Sequence, residues 1–413
     1  MSSFTKTTML LGAILATLLG VAGLSLAGLD GIARHVLFWP SLAAAVLTAV
    51  ALAGGVLVVI REHRRERGLP DLFWELTQLR REPALDQQQG FRGGPLRRAL
   101  SRVVQGHDFL PGDMVEIKSL PEILSTLNAD GSLGGMPFQP EMIRFCGQRV
   151  RVFRCLDKIY DYGRTRLMRR LPGSLLLSNL RCDGNAHGGC QASCYLIWRV
   201  EWLRHSTESS AAARGDAPAD PALVPAVVAG GVLKNGMHRC QFTDLHACSR
   251  EYGWQAWRKD LTPLVSGNYS LCAWLVALLT RHFNTVQKLR RGQTFPAMSG
   301  IGAHLSPEGP ALSQGDRVVV RSAEEIARTL NRSGKNRGLW FDTDMIKHCG
   351  HEYRVQSRIE RIIDDSNGQM RQMKSPCIAL EGIDYSGEGL NFNAQHDPTF
   401  WRECWLRRVD EAR

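Results

Sequence analysis

The sequence lacks the short motifs that mark several common enzyme classes. It contains no G-x-S-x-G elbow, no Walker A loop, no G-x-G-x-x-G turn and no H-E-x-x-H helix. These absences weigh against a serine hydrolase, a nucleotide-hydrolysing or dinucleotide-binding enzyme and a zinc protease. They do not exclude an enzyme of another kind, so the sequence leaves open whether the chain is a catalyst.

The sequence also lacks the dense, even set of cysteines that a small secreted domain uses as a disulfide framework. Its 11 cysteines are an odd number and are spread from Cys146 to Cys404. Such spacing is not typical of a disulfide scaffold. Thiols that do cluster in this chain are therefore better interpreted as metal ligands.

Aromatic nucleic-acid-binding signatures are missing as well, although the net charge is +11. Part of the excess lies directly after an apolar run, at Arg61, Arg64, Arg65 and Arg67. Basic residues at that place are typical of contact with anionic lipid headgroups. The charge therefore argues against a nucleic-acid partner and for membrane lipids.

Two long apolar runs, 9–29 and 36–60, lie near the start of the chain. Each is long enough to span a bilayer, which needs about 20 residues. They predict a transmembrane hairpin over 1–67; a signal peptide cleaved after Ser25-Leu26-Ala27 is the alternative for the first run. The basic residues predict a multi-pass protein of the bacterial inner membrane whose remaining domains face the cytoplasm.

The second half of the chain repeats the first at a constant offset of 203 positions (315 − 112 = 203). Gly112-Asp113 recurs as Gly315-Asp316, Cys146-Gly147 as Cys349-Gly350, and the W-R-x-x-W-L-R segment from Trp198 to Arg204 as Trp401 to Arg407. This period is too long for a solenoid and indicates a duplicated domain. The tryptophans stand four positions apart, which predicts that they share one helix face.

Short strand patterns bounded by Gly and Asp favour a mainly β (α+β) region made of two small SH3-like barrels with a helical insert. The expected boundaries are a transmembrane hairpin at 1–67, a basic helical linker at 68–111, repeat A at 112–205, a disordered linker at 206–230, a helical Cys/His-containing insert at 231–314 and repeat B at 315–413.

A loop in repeat A, C-D-G-N-A-H-G-G-C-Q-A-S-C, holds Cys182, Cys190 and Cys194 with His187 between them. Glycines between the thiols let such a loop wrap around one centre. In repeat B the equivalent residues are Tyr385, Asn393, Asp397 and Leu390. Buried cysteine behaves as a small hydrophobe, so core cysteines would have apolar replacements. These replacements therefore indicate a surface loop with ligands in repeat A only.

A fourth ligand is expected from His187 itself or from the insert, where Cys240 is the first choice and Cys248 the second. Three thiolates plus one further Cys or His suit zinc, and they suit an iron–sulfur cluster equally well. The spacing does not decide between the two cofactors.

With its two G-D-x-V…C-G…W-R-x-x-W-L-R copies and its cysteine loop, the chain resembles an uncharacterised bacterial family over 112–407. The resemblance implies that the cysteine loop is a recurring feature, and it brings no established activity. Some members of that family keep cysteines in the second copy, which this chain lacks at Tyr385, Asn393 and Asp397.

Two functions are consistent with these patterns. The first is a membrane-tethered metal- or iron–sulfur-binding protein, a redox or accessory component of a membrane-associated biosynthetic pathway with a partner protein in that pathway. The second is a membrane-anchored scaffold whose zinc, if any, is purely structural.

Overall fold

The computed structural model describes residues 95–206, 235–253, 258–290, 300, 309–387 and 392–409. The chain divides into two compact units. One comprises Met1–Glu82 and Leu278–Phe295, of which the structure describes 278–290; the other comprises Pro83–Ala277 and Pro296–Arg413. The sheets and the site described below all lie in the second unit. The linker predicted at 206–230 lies, apart from Ser206, outside the described residues.

Helices are short, with one exception. The α-helices are Pro95–Gln105, Leu120–Leu124, Leu245–Cys248, Arg258–Val265, Leu271–Leu289 and Ala323–Thr329, and the 3₁₀ turns are Pro140–Phe145, Asn185–His187, Val200–Trp202, Thr343–His348 and Glu403–Trp405. The equivalent helices of the two repeats begin alike. Glu122 accepts the N–H of Ser119 at 2.9 Å, and Glu325 accepts that of Ser322 at 2.9 Å. Such capping boxes satisfy backbone donors that a helix start leaves free.

Strands build most of the second unit. In chain order they are β1 (Met114–Ile117), β2 (Ser132–Leu133), β3 (Met136–Pro137), β4 (Arg149–Cys155), β5 (Lys158–Tyr160), β6 (Met168–Arg170), β7 (Ser174–Arg181), β8 (Tyr195–Arg199), β9 (Leu203–His205), β10 (Arg317–Val320), β11 (Lys335–Asn336), β12 (Leu339–Trp340), β13 (Glu352–Ile363), β14 (Met370–Asp384), β15 (Pro398–Trp401) and β16 (Leu406–Arg408).

The two repeats form sheets of the same topology. The first has the order β8-β7-β4-β1-β9 and the second the order β15-β14-β13-β10-β16. All pairings are antiparallel, and the registers agree at the 203-residue offset: Val115 faces Val150 and His205, whereas Val318 faces Tyr353 and Arg408.

The prediction of SH3-like barrels is corrected by this topology. In the described part of each repeat the first and last strands of the order do not pair with each other: β8 does not pair with β9, nor β15 with β16. A barrel requires its sheet to close on itself. Each repeat is instead an open, half-barrel sheet of five strands.

The prediction of an N-terminal transmembrane hairpin, and with it that of a multi-pass inner-membrane protein, is also wrong for this structure. None of the helices formed by the described residues has the length and apolar character needed to cross a membrane. The longest, Leu271–Leu289, has 19 residues and includes Arg281 and Lys288. The predicted spans themselves, 9–29 and 36–60, lie outside the described residues.

Tryptophans fill the centre of both repeats. Trp198, Trp202, Trp401 and Trp405 are fully buried. Trp198 lies on β8 and Trp202 in the 3₁₀ turn that follows, so the prediction of a shared helix face is wrong. Phe138 packs edge-on against Trp202 at 5.4 Å between ring centroids, and Phe341 against Trp405 at 5.1 Å. The tryptophans therefore form equivalent cores under the two sheets.

One buried hydrogen bond recurs in both cores and supports a prediction. Trp202 Nε1 donates to Thr126 Oγ1 at 3.0 Å, and Trp405 Nε1 donates to Thr329 Oγ1 at 2.8 Å. Thr126→Val and Thr329→Val each leave a buried indole N–H without an acceptor, which costs about 1–3 kcal/mol. We expect each to lower the free energy of unfolding by that amount in urea denaturation.

A control for this prediction is Thr285→Val, because Thr285 is exposed. We expect it to change stability by less than about 0.5 kcal/mol. Wild-type stability in both core variants would show that the indole bonds contribute nothing.

Candidate metal centre

The loop between β7 and β8 is closed by backbone hydrogen bonds. Cys182 N donates to Cys194 O at 2.9 Å, which joins the two ends of the loop. Gly184 has a φ of +72°, and a Cβ there would lie 2.0 Å from the carbonyl oxygen of Cys190. Only glycine fits this position. The tight turn is what brings thiols eight and twelve positions after Cys182 back to the same side of the sheet.

Four thiols line one cavity at this loop. Its lining consists of Gln139, Cys182, His187, Cys190, Ala192, Ser193, Cys194, Tyr195, Cys240, Gln241, Phe242, Ile363 and Asp365. The structure thus brings together the three loop cysteines, His187 and the first-choice insert cysteine. The second choice, Cys248, does not line the cavity: it is buried at the end of the helix Leu245–Cys248, and its Sγ lies 3.4 Å from Leu245 O.

Residues of the insert hold Cys240 at the cavity. The side chain of Gln241 accepts the N–H of Ile197 on β8 at 2.8 Å and donates to the carbonyl of the same residue at 2.8 Å. The side-chain amide of Gln241 therefore makes the two hydrogen bonds to β8 that the backbone of a neighbouring strand would make. Cys240, the preceding residue, is fixed beside the loop by this contact.

Backbone N–H groups point at several of the sulfurs. Gly184 N lies 3.4 Å from Cys182 Sγ, and Ile363 N lies 3.4 Å from Cys190 Sγ. Burial raises the pKa of Cys240 to about 12, although the N–H groups of Thr243 and Phe242 act in the opposite direction. Such donors stabilise negative charge on sulfur and are typical of metal-bound thiolates.

Burial also raises the pKa of the Cys182 and Cys194 thiols well above the ordinary value. A buried thiolate is unfavourable when no positive charge compensates it. Without a metal these sulfurs are thus protonated at neutral pH. A bound cation would displace their protons, so binding at this site releases protons.

Glu141 is a site residue that the sequence interpretation missed. It lies in the 3₁₀ turn Pro140–Phe145, and its Oε1 is 2.7 Å from His187 Nδ1, with side chains 3% and 1% exposed. Burial acts to raise the pKa of the Glu141 carboxyl, but the hydrogen bond and charge of His187, together with the backbone N–H groups of Glu141 and Ala186, hold the pKa below the ordinary value. The duplication could have revealed this residue, because its equivalent in repeat B, Asp344, is also acidic.

Glu141, Cys182 and His187 form a group that could hold a metal ion. Their ligand atoms all lie within 4.8 Å of one another. However, His187 Nε2 already faces the carbonyl of Arg239 at 3.0 Å, and Nδ1 faces Glu141. Nε2 also lies 3.3 Å from the side-chain amide of Gln139, so both ring nitrogens already have partners that a metal would displace.

The same geometry argues against a catalytic thiol relay. Cys182 Sγ lies 3.9 Å from His187 Nδ1, the ring nitrogen that also contacts Glu141. A nucleophile–base–acid relay needs the thiol and the carboxylate on opposite ring nitrogens. The arrangement suits binding and charge compensation better than nucleophilic catalysis.

The described parts of the equivalent loop of repeat B, 385–387 and 392–397, keep two backbone features of the repeat A loop, while the candidate ligands are replaced. Tyr385 N donates to Asp397 O at 2.9 Å, as Cys182 does to Cys194. A Cβ on Gly387 would lie 1.8 Å from Asn393 O, matching Gly184. Asn393 is fully buried, so the prediction that its polar side chain marks a surface loop is wrong.

Comparison with known proteins adds no further assignment. Neither a protein-family model nor a curated protein matches this chain at a significant level.

Proposed function

We propose that this chain is an iron–sulfur protein whose cluster is held by the thiolates of Cys182, Cys190, Cys194 and Cys240. The observation that carries the proposal is the convergence of these four thiols on one cavity, from a loop and an insert far apart in sequence. Four cysteine thiolates are the usual ligand set of such clusters.

The separation of the thiols favours a cluster over a single zinc ion. Zinc–sulfur bonds of about 2.3 Å in a tetrahedron place the sulfurs about 3.8 Å apart. Among the described residues, no three of the four thiols come within 4.8 Å of one another as the Glu141 group does.

A single zinc ion bound by Glu141, Cys182 and His187 is the second candidate. It is favoured by the short distances within that group. It requires the ring of His187 to give up one of two hydrogen bonds, to Glu141 or to Arg239. In our preferred assignment Glu141 and His187 do not bind the metal. Their contact instead stabilises the loop beside Cys182, as residues that contact metal ligands do.

A cluster held by these thiolates would supply one-electron redox chemistry for exchange with a partner protein. The backbone donors on Cys182 and Cys190 would tune its potential, since hydrogen bonds to cluster sulfurs do so. Binding of zinc alone would favour the scaffold function, in which the metal only stabilises the fold.

The experiment is metal analysis and spectroscopy of the full chain purified without oxygen. We expect stoichiometric iron and acid-labile sulfide, visible charge-transfer absorption, and bleaching by dithionite with uptake of one electron per cluster. If the chain instead contains one zinc per molecule and is colourless, the second candidate, a single zinc ion, is the correct assignment. Absence of both metals would refute metal binding altogether.

A further inference from the structure

The wall of the cavity includes residues from the other repeat. Ile363 and Asp365 lie at the end of the hairpin formed by β13 and β14, more than 160 positions after Cys194, and both line the cavity. At the 203-residue offset β13 corresponds to β4 and β5 together and β14 to β6 and β7 together, so both repeats carry a hairpin of the same span. Repeat B lacks the cysteines but extends a hairpin to the site of repeat A.

Backbone contacts attach this hairpin to the cysteine loop. The side-chain oxygen of Gln191 accepts the N–H groups of Glu360 at 2.7 Å and Arg361 at 3.1 Å, and Gln191 N donates to Arg361 O at 3.1 Å. Ile363 N completes the contact by donating to Cys190 Sγ. The last of these bonds ends on a proposed metal ligand.

Repeat A makes the mirror contact without a sulfur. Tyr160 N, which is 203 positions before Ile363, donates to Asn393 Oδ1 at 3.2 Å, and Asn393 stands where Cys190 stands in repeat A. Each hairpin thus reaches the loop of the other repeat. An amide oxygen is a good acceptor in every state, whereas a thiol sulfur is a weak one that improves when a metal makes it anionic.

We propose that loading of the cysteine cavity docks the β13–β14 hairpin onto the loop, and that the docked hairpin in turn slows loss of the metal. This inference rests on the proposed function of the four thiols. Bound metal strengthens the acceptor for Ile363 N–H, so occupancy and docking stabilise one another by linkage. The tip of the β5–β6 hairpin meets the amide oxygen of Asn393 instead of a sulfur, so this contact does not respond to the metal.

Hydrogen exchange of the full chain tests the first half of the proposal. Chain reconstituted with ferrous iron and sulfide is compared with chain stripped by a chelator. We expect amides 360–371 to exchange roughly tenfold or more slowly in the loaded chain. Amides 158–166 of the mirror hairpin, which exclude the strand bonded to Arg250 of the insert, are the internal control and should exchange equally in both forms.

Gln191→Ala tests the second half, because it removes the hairpin contact without touching a thiol. We expect the same iron content at saturation and about tenfold faster release of iron to a chelator, a typical effect of an outer-shell partner. Gln191→Glu keeps an acceptor and should restore the slow release. Gln148→Ala, at an exposed position of the same repeat, should release iron at the wild-type rate.

The outcomes separate the two proposals. Retained iron with unchanged exchange of 360–371 would overturn the coupling and leave the iron–sulfur assignment intact. A wild-type chain that retains no iron would overturn both. Should Gln191→Ala not fold, the exchange comparison on the wild-type chain still decides the matter.

Discussion

The Cys240→Ser chain, produced and purified without oxygen, should contain neither iron nor acid-labile sulfide above background. Cys240 supplies the only proposed ligand from outside the loop between β7 and β8, and the cluster needs four thiolates. A serine hydroxyl in its place stays protonated at neutral pH and is a poor ligand. The visible absorption and the one-electron reduction by dithionite should therefore disappear together.

Cys248→Ser is the matched control for this variant. The two cysteines are eight positions apart in the same insert, but Cys248 is buried against Leu245 and does not line the cavity. We expect its iron and sulfide content to equal that of the wild type. Similar far-ultraviolet circular dichroism of both variants would show that the loss in Cys240→Ser is not a loss of folding.

The opposite pattern would favour the second candidate. A single ion held by Glu141, Cys182 and His187 does not involve Cys240, so Cys240→Ser would then retain its metal. Cys182→Ser removes a ligand in both assignments and cannot distinguish them. The comparison of Cys240→Ser with Glu141→Gln is therefore the decisive pair.

Glu141→Ala should lower the free energy of unfolding of the metal-free chain by about 1–3 kcal/mol, the cost of leaving a buried hydrogen-bonding group without its partner. The change leaves His187, which is 1% exposed, facing no carboxylate. Ala186 N also loses its acceptor, since it donates to Glu141 Oε1 at 3.1 Å. Urea denaturation of the metal-free chain measures the difference.

The loss of stability caused by Glu141→Ala should become smaller as the pH is lowered into the acid range. The folded-state pKa of Glu141 lies below its ordinary value of 4.5, so the carboxylate stabilises the fold in full above pH 4.5. This contribution is lost as the pH falls through the lower, folded-state pKa. The part of the stability difference that the carboxylate supplies should therefore shrink as the pH falls below 4.5.

Glu352→Ala provides the control. Glu352 pairs with Arg317 at 2.7 Å, but both side chains are more than half exposed. Exposed pairs contribute about 0–1 kcal/mol. A loss as small as this in Glu141→Ala would show that the buried pair is not a brace of the loop.

Much of the plan of the molecule was predictable from the sequence. The constant offset between Gly112-Asp113 and Gly315-Asp316 predicts two equivalent units, and the structure has two sheets of the same strand order. Cys182, Cys190 and Cys194 were recognisable because ligand types recur at short spacing between glycines. Cys240 was recognisable as a candidate only because a three-thiol loop requires a fourth ligand.

Other features could not be predicted in this way. The pattern of short strands does not state whether a sheet closes, because closure depends on strand tilt and edge pairing rather than on alternation. The four-residue spacing of Trp198 and Trp202 is compatible both with one face of a helix and with a strand followed by a turn. The transmembrane prediction rested on hydropathy over residues outside the described part of the structure, and the described helices do not show such a span.

The sequence by itself determined the duplication, the cysteine loop and the chemical type of its candidate ligands, because these are properties of residue identity and order. Only the tertiary structure decided that Cys240 and not Cys248 reaches the cavity, that Glu141 pairs with His187, and that Ile363 and Asp365 come from the other repeat. The physical reason is that nearly every residue type has the same backbone N–H, so residue identity does not mark which N–H will face a sulfur. Residue identity also does not show which distant segments will be in contact. Their positions depend on which loop each hairpin packs against, and that is set by the fold of both repeats together.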